Sequence, residues 1–305
     1  MAATPNDIGN DAARDEALGL GRQRSLARIT LTKFLQNRLA VVGLVVLVLV
    51  ILSALLAPWL SPHDPNFQTL RERLQPPSAE FWLGTDHLGR DLFSRLLYAG
   101  RISLFVGFSA MLGSVVIGTA VGAVAGYFGG RVDGLLMRLV DIVISFPSIF
   151  LLIALVAILE PTIDKLIIVF AFLSWTGTAR LVRGEFLTLK QRDFVLASRT
   201  LGMSTPRIIF SEILPNAFGP IVVAATLSVG GFILAESGLS FLGLGVQPPT
   251  ASWGNMLTNA QGVGIFRTAW WYPTFPGLMI LVTVLSFNFV GDGLRDALDP
   301  NVIER

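Results

Sequence analysis

LAVVGLVVLVLVILSALLAPWL, residues 39–60, runs without a charge and closes on Pro58 and Trp59. About 30 Å of hydrocarbon takes about 20 apolar residues in helix, and lipid offers no partner to an unpaired backbone group. The run therefore reads as a membrane-crossing helix, with Trp59 at its interfacial end. Working outward, five further apolar stretches cover residues 102–128, 135–159, 166–182, 217–239 and 272–290. The fold class is an all-α polytopic membrane protein with about six transmembrane helices. The stretch 166–182 is diluted by Ser174, Thr176, Gly177 and Thr178, which suits a helix facing other helices or a cavity.

The whole chain carries this signature. Of its 305 residues, 52% are hydrophobic and 14% charged, and the mean hydropathy is +0.65. Soluble domains carry about 25% charged residues. A net charge of +2 is too small to imply nucleic acid as a partner. No cysteine is present, which excludes disulfides, thiolate nucleophiles and thiolate metal sites. The two histidines, His63 and His87, lie outside the apolar stretches and read as solvated loop residues. No metal site is expected.

Sixteen of the 23 Lys and Arg fall on the side that carries both termini, which places both termini in the cytoplasm. The first outside loop works against this bias, since it holds Arg71, Arg73, Arg90, Arg95 and Arg101. Residues 1–25 are polar, rich in Gly and Ala, and read as a disordered cytoplasmic tail. Residues 26–100 hold an amphipathic segment, the first span and the outside loop. In that segment Leu26, Ile29, Phe34 and Leu35 alternate with Arg28, Lys33 and Arg38, as in an elbow helix on the inner leaflet or a merely basic flank. Residues 101–292 form the main domain, and 293–305 a cytoplasmic tail.

Several residues inside the spans invite specific readings. Gly118, Gly122 and Gly126 strip one helical face and let another backbone approach. Pro147 removes a backbone hydrogen bond and should kink the third span. Asp141 is one turn from Arg138, a suitable ion-pair partner. Ionisable or polar groups at membrane depth are functional candidates: Glu236 either neutralises a solute amine in a channel or bonds a neighbouring helix or turn. Asn288 is a second candidate for the channel lining.

Between the fourth and fifth spans stands a polar insertion, residues 183–215, RGEFLTLKQRDFVLASRTLGMSTPRIIFSEILP. It reads as two short helices, the first over about 185–201 and stopped by Gly202. The second is capped by Ser204 or Thr205, with Pro206 in its first turn. Two helices about a glycine elbow make a rigid knob, or a surface hairpin without a partner. On the other side, GTDHLGRD at 84–91 precedes the second span. Asp86 reads there as a helix cap, with Leu88, Leu92, Phe93, Leu96 and Leu97 as an apolar stripe opposite Arg90, Asp91, Ser94 and Arg95. That segment either supports the second span or touches an external protein.

These segments resemble the permease subunits of bacterial ABC importers, in the dipeptide/oligopeptide/nickel group and its second-subunit branch. GTDHLGRD, with Gly84, Thr85, Asp86, Gly89, Arg90 and Asp91, resembles the hallmark before that branch's second span. LSFLGLGVQPPTASWGNML at 239–257, FPGL at 275–278 and GDGLRDALDP at 291–300 resemble its last outside loop, final span and tail. The family's cytoplasmic loop motif aligns to Leu196, Ala197, Ser198, Gly202, Glu212, Leu214 and Pro215. Ala197, Gly202, Leu214 and Pro215 agree with it. Leu196 stands for its acidic residue, Ser198 for its second alanine and Glu212 for its isoleucine.

The resemblance implies a type I importer permease fold in the bacterial inner membrane. It implies a channel shared with a second homologous permease subunit, two cytoplasmic ATPase subunits seated on the loop 183–215, and an external solute-binding protein delivering peptides. No GxxxxGK[ST] phosphate loop occurs in the chain, so no catalytic residue and no cofactor are expected in it; ATP and Mg belong to the partner subunits. An ion-gradient-driven secondary transporter is the competing reading. No inverted repeat is visible for it, and charged residues at midplane depth are scarce.

Overall fold

The computed structural model describes residues 26–159, 162–258, 260–261 and 263–298. The expected tail over 1–25 and residues 299–305 lie outside them. Among the described residues the elements are helical, and five helices are long and apolar enough to cross a membrane, or six if one bent pair counts as a span.

Helix α1 (Leu26–Gln36) leads into α2 (Arg38–Leu55). Asn37 separates them: its side chain accepts from the Ala40 N–H at 3.2 Å and supplies the cap that α2 needs. A short α3 (Ala57–Leu60) finishes the first span. Helix α4 (Leu92–Phe128) begins ten residues before the apolar stretch at 102 and carries the second span. Gly129, at φ +67°, ends it and turns the chain into α5 (Gly130–Ser145).

The expected third span is two helices rather than one kinked helix. Helix α6 (Ser148–Leu159) follows α5 at an angle of 81°. Steric conflict with the ring of Pro147 drives the preceding Phe146 to φ −89°, ψ 133°, extended backbone that no helix contains.

Helix α7 (Ile163–Leu189) continues seven residues past the expected end of the fourth span. A short α8 (Asp193–Thr200) follows. One helical run, α9 (Thr205–Phe241), then carries the fifth span. The return after α9 contains α10 (Trp253–Thr258) and α11 (Val263–Thr268), and α12 (Trp271–Leu298) is the last span. Residues 293–298 belong to this helix, with Gly293 and Ala297 buried, so the expected boundary of a tail at 293 moves to the end of the described residues.

The glycine face of α4 packs as its spacing predicts. A Cβ at Gly118 would lie 2.6 Å from the Trp175 carbonyl oxygen, and one at Gly126 would lie 2.6 Å from the Phe186 Cβ. Helices α4 and α7 therefore touch backbone to backbone over their C-terminal parts. Helix α12 is held the same way against α2, where a Cβ at Gly43 would lie 2.9 Å from the Ser286 carbonyl oxygen. Many large apolar side chains on α2 remain exposed, Leu39, Leu49 and Leu55 among them; lipid or a partner helix is the natural solvent for such a face.

Candidate functional site

The polar insertion is built differently from the two-helix knob that the sequence predicts. Its first seven residues extend α7 and its last eleven belong to α9, so one short helix, α8, stands between two long ones. Asp193 sits in the first turn of α8, where a carboxylate meets the positive end of the helix dipole. At the other end the Gly202 N–H donates to Arg199 O at 2.9 Å and the Met203 N–H to Ser198 O at 3.1 Å. This paired stop requires a left-handed residue, and Gly202 supplies φ +77°.

One face of α8 is buried. Val195 and Ser198 pack toward Phe186, Ile208, Ile213 and Ala217. Leu196 and Ala197 point outward, and Leu201 is 84% exposed. Phe210 adds an exposed aromatic on the first turns of α9.

Glu212, Leu214 and Pro215 lie inside α9, not before it. Pro215 has no N–H to offer the carbonyl of Ser211, four residues back. The backbone answers with a π-helical stretch, Ile208–Ile213, in which the Leu214 N–H reaches Ile209 O. The Asn216 side-chain amide takes the Glu212 carbonyl at 2.6 Å.

Ion pairs tie the base of this unit to the spans. Arg183 on α7 donates to both carboxylate oxygens of Asp133 on α5, at 2.5 and 2.6 Å. Arg180 pairs with Asp141 at 2.5 Å, which replaces the expected partner Arg138. Lys190 donates to Gly126 O at 2.8 Å, at the carbonyl end of α4. Arg199 of α8 lies 5.3 Å from the Tyr127 ring centroid.

On the opposite side of the molecule, residues 84–91 form a buried polar loop in place of the expected amphipathic helix. Thr85 and Asp91 make an antiparallel bridge. Asp86 caps no helix: Oδ1 accepts from the N–H groups of Leu88 and Arg90, and Oδ2 receives Arg90 Nε at 2.6 Å, with Arg95 Nε at 3.7 Å. Asp91 is the helix cap, accepting from the Ser94 N–H at 2.9 Å. The stretch has no solvent-facing side of the kind expected: Arg90, Asp91, Ser94 and Arg95 are buried, and so are Leu92, Leu96 and Leu97 of the apolar stripe. Gly89, at φ +74°, packs so closely on Thr69 that a Cβ would overlap the Thr69 carbonyl.

Neither histidine is a plain solvated residue. His87 Nδ1 lies 2.7 Å from Tyr272 Oη, and burial holds its pKa below the ordinary value, against the pull of Asp86. His63 Nδ1 lies 3.6 Å from Asp91 Oδ2. Among the described residues, no three His, Asp or Glu side chains converge closely enough to hold a metal ion.

Glu236 is fully buried inside this subunit and does not line an open path. Its carboxylate accepts from Ser240 Oγ at 2.6 Å and from Ser103 Oγ at 3.4 Å, across to α4. Those hydroxyls in turn accept the backbone N–H groups of Val246 and Trp253. Of the two alternatives, the helix- and turn-bonding role is the one its contacts fill. Asn288 is half-buried on α12. Sequence reasoning missed Asp133, Ser103 and Tyr272 altogether; only their position on otherwise apolar helices marked them out.

The family described as the binding-protein-dependent transport system inner membrane component matches residues 118–304. The N-terminal TM domain of oligopeptide transport permease C matches residues 25–77. The dipeptide transport system permease protein DppC of Alkalihalophilus pseudofirmus is 45% identical over 267 residues, 88% of this chain and 87% of the relative. The di/tripeptide transport system permease protein DppC of Pseudomonas aeruginosa is 45% identical over 275 residues, 88% and 90%. The oligopeptide transport system permease protein OppC of Bacillus subtilis is 43% identical over 278 residues, 91% and 90%.

Proposed function

The chain belongs to the family of binding-protein-dependent transport system inner membrane components, a multi-pass protein of the bacterial inner membrane, and from that premise we propose that it forms half of the passage of an ATP-driven peptide importer. The other half is a second, homologous permease subunit. Peptides arrive on an external solute-binding protein, and two cytoplasmic ATPase subunits hold ATP and Mg. Both termini and α8 lie on the cytoplasmic side, and residues 84–91 lie outside.

The observation that carries this reading is the construction of α8. It is short, stopped by Gly202, and exposes Leu196 and Leu201 while its other face is packed into the bases of α7 and α9. A partner that shifts α8 shifts the two spans with it, because the Arg183–Asp133 pair and the Lys190 contact leave little slack between α4, α5 and α7. Coupling needs an element whose contacts differ between two states, and an exposed apolar helix end seated on an ATPase subunit meets that need. The role in coupling extends to Leu196, Ala197, Ser198, Gly202, Glu212, Leu214 and Pro215. Asn288 is assigned to the passage.

The test is ATP hydrolysis by the complete reconstituted complex, measured with and without peptide-loaded binding protein. Stimulation by the loaded binding protein is expected. Uptake driven by an ion gradient with no ATP supplied would overturn the reading in favour of a secondary transporter.

A further inference from the structure

A cavity of about 620 Å³ lies between α2 and α4, with Ile51 and Leu55 on one wall and Arg101, Ile102, Phe105 and Phe108 on the other. Helix α8 meets the opposite end of α4, at Tyr127. Leu55 and Phe105 are 61% and 57% exposed, so the cavity opens through the apolar flank of the bundle, where lipid is the surrounding solvent. Trp59, one turn beyond Leu55 and 79% exposed, marks the level of the membrane interface. From Arg101 to Phe108, α4 advances about 10 Å along its axis. The cavity therefore runs from head-group level into the hydrocarbon.

Its polar side chains are Asn66, Tyr98, Arg101 and Thr250; all of them can donate a hydrogen bond, and none is acidic. The Arg101 guanidinium lies 5.7 Å from the Tyr98 ring centroid and has no ion pair or hydrogen bond among the described residues. Tyr98 Oη and Thr250 Oγ1 likewise donate to nothing among them. A guanidinium at the edge of hydrocarbon calls for an anion, and its planar fork matches phosphate oxygens two at a time.

The occupant that fits is apolar along its length and anionic at one end. A phospholipid supplies both parts, with its phosphate at Arg101 and an acyl chain beside Leu55, Phe105 and Phe108. The ammonium of a zwitterionic head group would find no carboxylate on these walls, so the charge pattern favours a lipid of net negative charge.

We propose that this cavity seats one anionic phospholipid of the phosphatidylglycerol class, held by Arg101 and wedged between α2 and α4. The inference goes beyond the transport reading and holds whichever end of the bundle faces the cytoplasm. The probe is a phosphatidylglycerol with a photoreactive diazirine in its acyl chain, added to the complete complex in lipid nanodiscs. Peptide mapping should find adducts concentrated on residues 51–55 and 102–108. Arg101 is exposed, so Arg101→Gln should assemble as the parent does. It should lower the adducts about fivefold, the effect of one basic side chain at a charged membrane surface, and Arg101→Lys should keep most of them. A phosphatidylcholine carrying the same diazirine should label the parent weakly at both segments.

Adducts that Arg101→Gln leaves unchanged would overturn the proposal, and so would equal labelling of the parent by the phosphatidylcholine probe. Labelling no denser there than on α6, whose Phe150 is 69% exposed, would mark ordinary surrounding lipid and overturn it too. No adduct at either segment would also overturn it, the space then belonging to the second permease subunit or to the cargo. Stimulation of ATP hydrolysis by the binding protein bears on the transport reading alone.

Discussion

At Gly202 nothing lies within 4 Å of where a Cβ would stand, yet the backbone sits at φ +77°. A side chain there meets no neighbour, and the whole penalty, about 1–2 kcal/mol, comes from the left-handed conformation. A β-branched residue escapes that penalty by giving up the stop of α8, which redirects Leu201. Gly202→Val should therefore insert normally and lose uptake in proteoliposomes carrying the full complex; normal uptake would remove Gly202 from the coupling unit. His87 gives a pH prediction. Its folded-state pKa lies below 6.5, held down by burial, so above 6.5 the imidazole is neutral folded or unfolded and its stabilising contact with Tyr272 is complete. As pH falls below 6.5 the unfolded chain takes up the proton first, and stability is lost until the folded state titrates too. The unfolding midpoint of the purified complex should fall with acidification below about pH 6.5, and His87→Gln should flatten that fall. Asp86 is the third case. It faces two buried guanidiniums, and Asp86→Ala takes the acceptor from Arg90 Nε and the counter-charge from Arg95, which keeps only the Pro65 carbonyl and Asn66, at a cost of about 3–5 kcal/mol. That is comparable with the whole stability of many domains, so the expected outcome is loss of folded protein on size-exclusion chromatography.

Among the elements, the α4–α7 pair carries the clearest mechanical consequence. A Cβ at Gly122 would overlap the Ala179 carbonyl and lie 2.8 Å from the Val182 Cβ, so Gly122→Leu must part the two helices. Overpacking costs about 1–3 kcal/mol, and here the displaced helix is the one that carries α8. A lower unfolding midpoint with binding-protein-stimulated ATP hydrolysis reduced out of proportion is expected; unchanged stimulation would show that α8 moves independently of α7. A close backbone approach on that face was legible from the four-residue spacing of Gly118, Gly122 and Gly126, because it needs only a missing side chain; that the partner is α7 was not. The ends of α7 and α12 were not. Residues 183–189 and 293–298 are polar, and apolarity is the signal that marks a span. What keeps them helical is an ion pair with Asp133, 50 residues away, and packing of Gly293 on Ala40. Pro147 announced a kink, but proline chemistry alone does not set an angle of 81°. The loop 84–91 misled for a related reason: the alternation of Leu with Arg and Asp looks amphipathic, whereas both its apolar and its charged residues are buried. Only the convergence of Asp86, Arg90 and Arg95, which share one carboxylate, decides that the charged side faces inward.

For the whole molecule, the orientation of the bundle decides what each end can meet. If α8 faces the cytoplasm, Leu201 can seat on an ATPase subunit, and the loop that carries Phe67 faces the external partner. The charge bias points that way. The absence of cysteine from the chain makes the question directly measurable, since a single introduced thiol is then the only one. Phe67 and Leu201 are 69% and 84% exposed and neither is a contact on which the bundle depends, so Phe67→Cys and Leu201→Cys should both fold. With a membrane-impermeant maleimide applied to cells whose outer barrier is open but whose inner membrane is intact, Phe67→Cys should label at once. Leu201→Cys should label only after the inner membrane is permeabilised, and more slowly still when the ATPase subunits are present, because a seated partner covers it. Labelling in the reverse order would invert the bundle. It would put the loop that carries Phe67 in the cytoplasm and leave the exposed end of α8 facing a compartment without ATP, an arrangement in which ATP-driven import through this chain has no physical route.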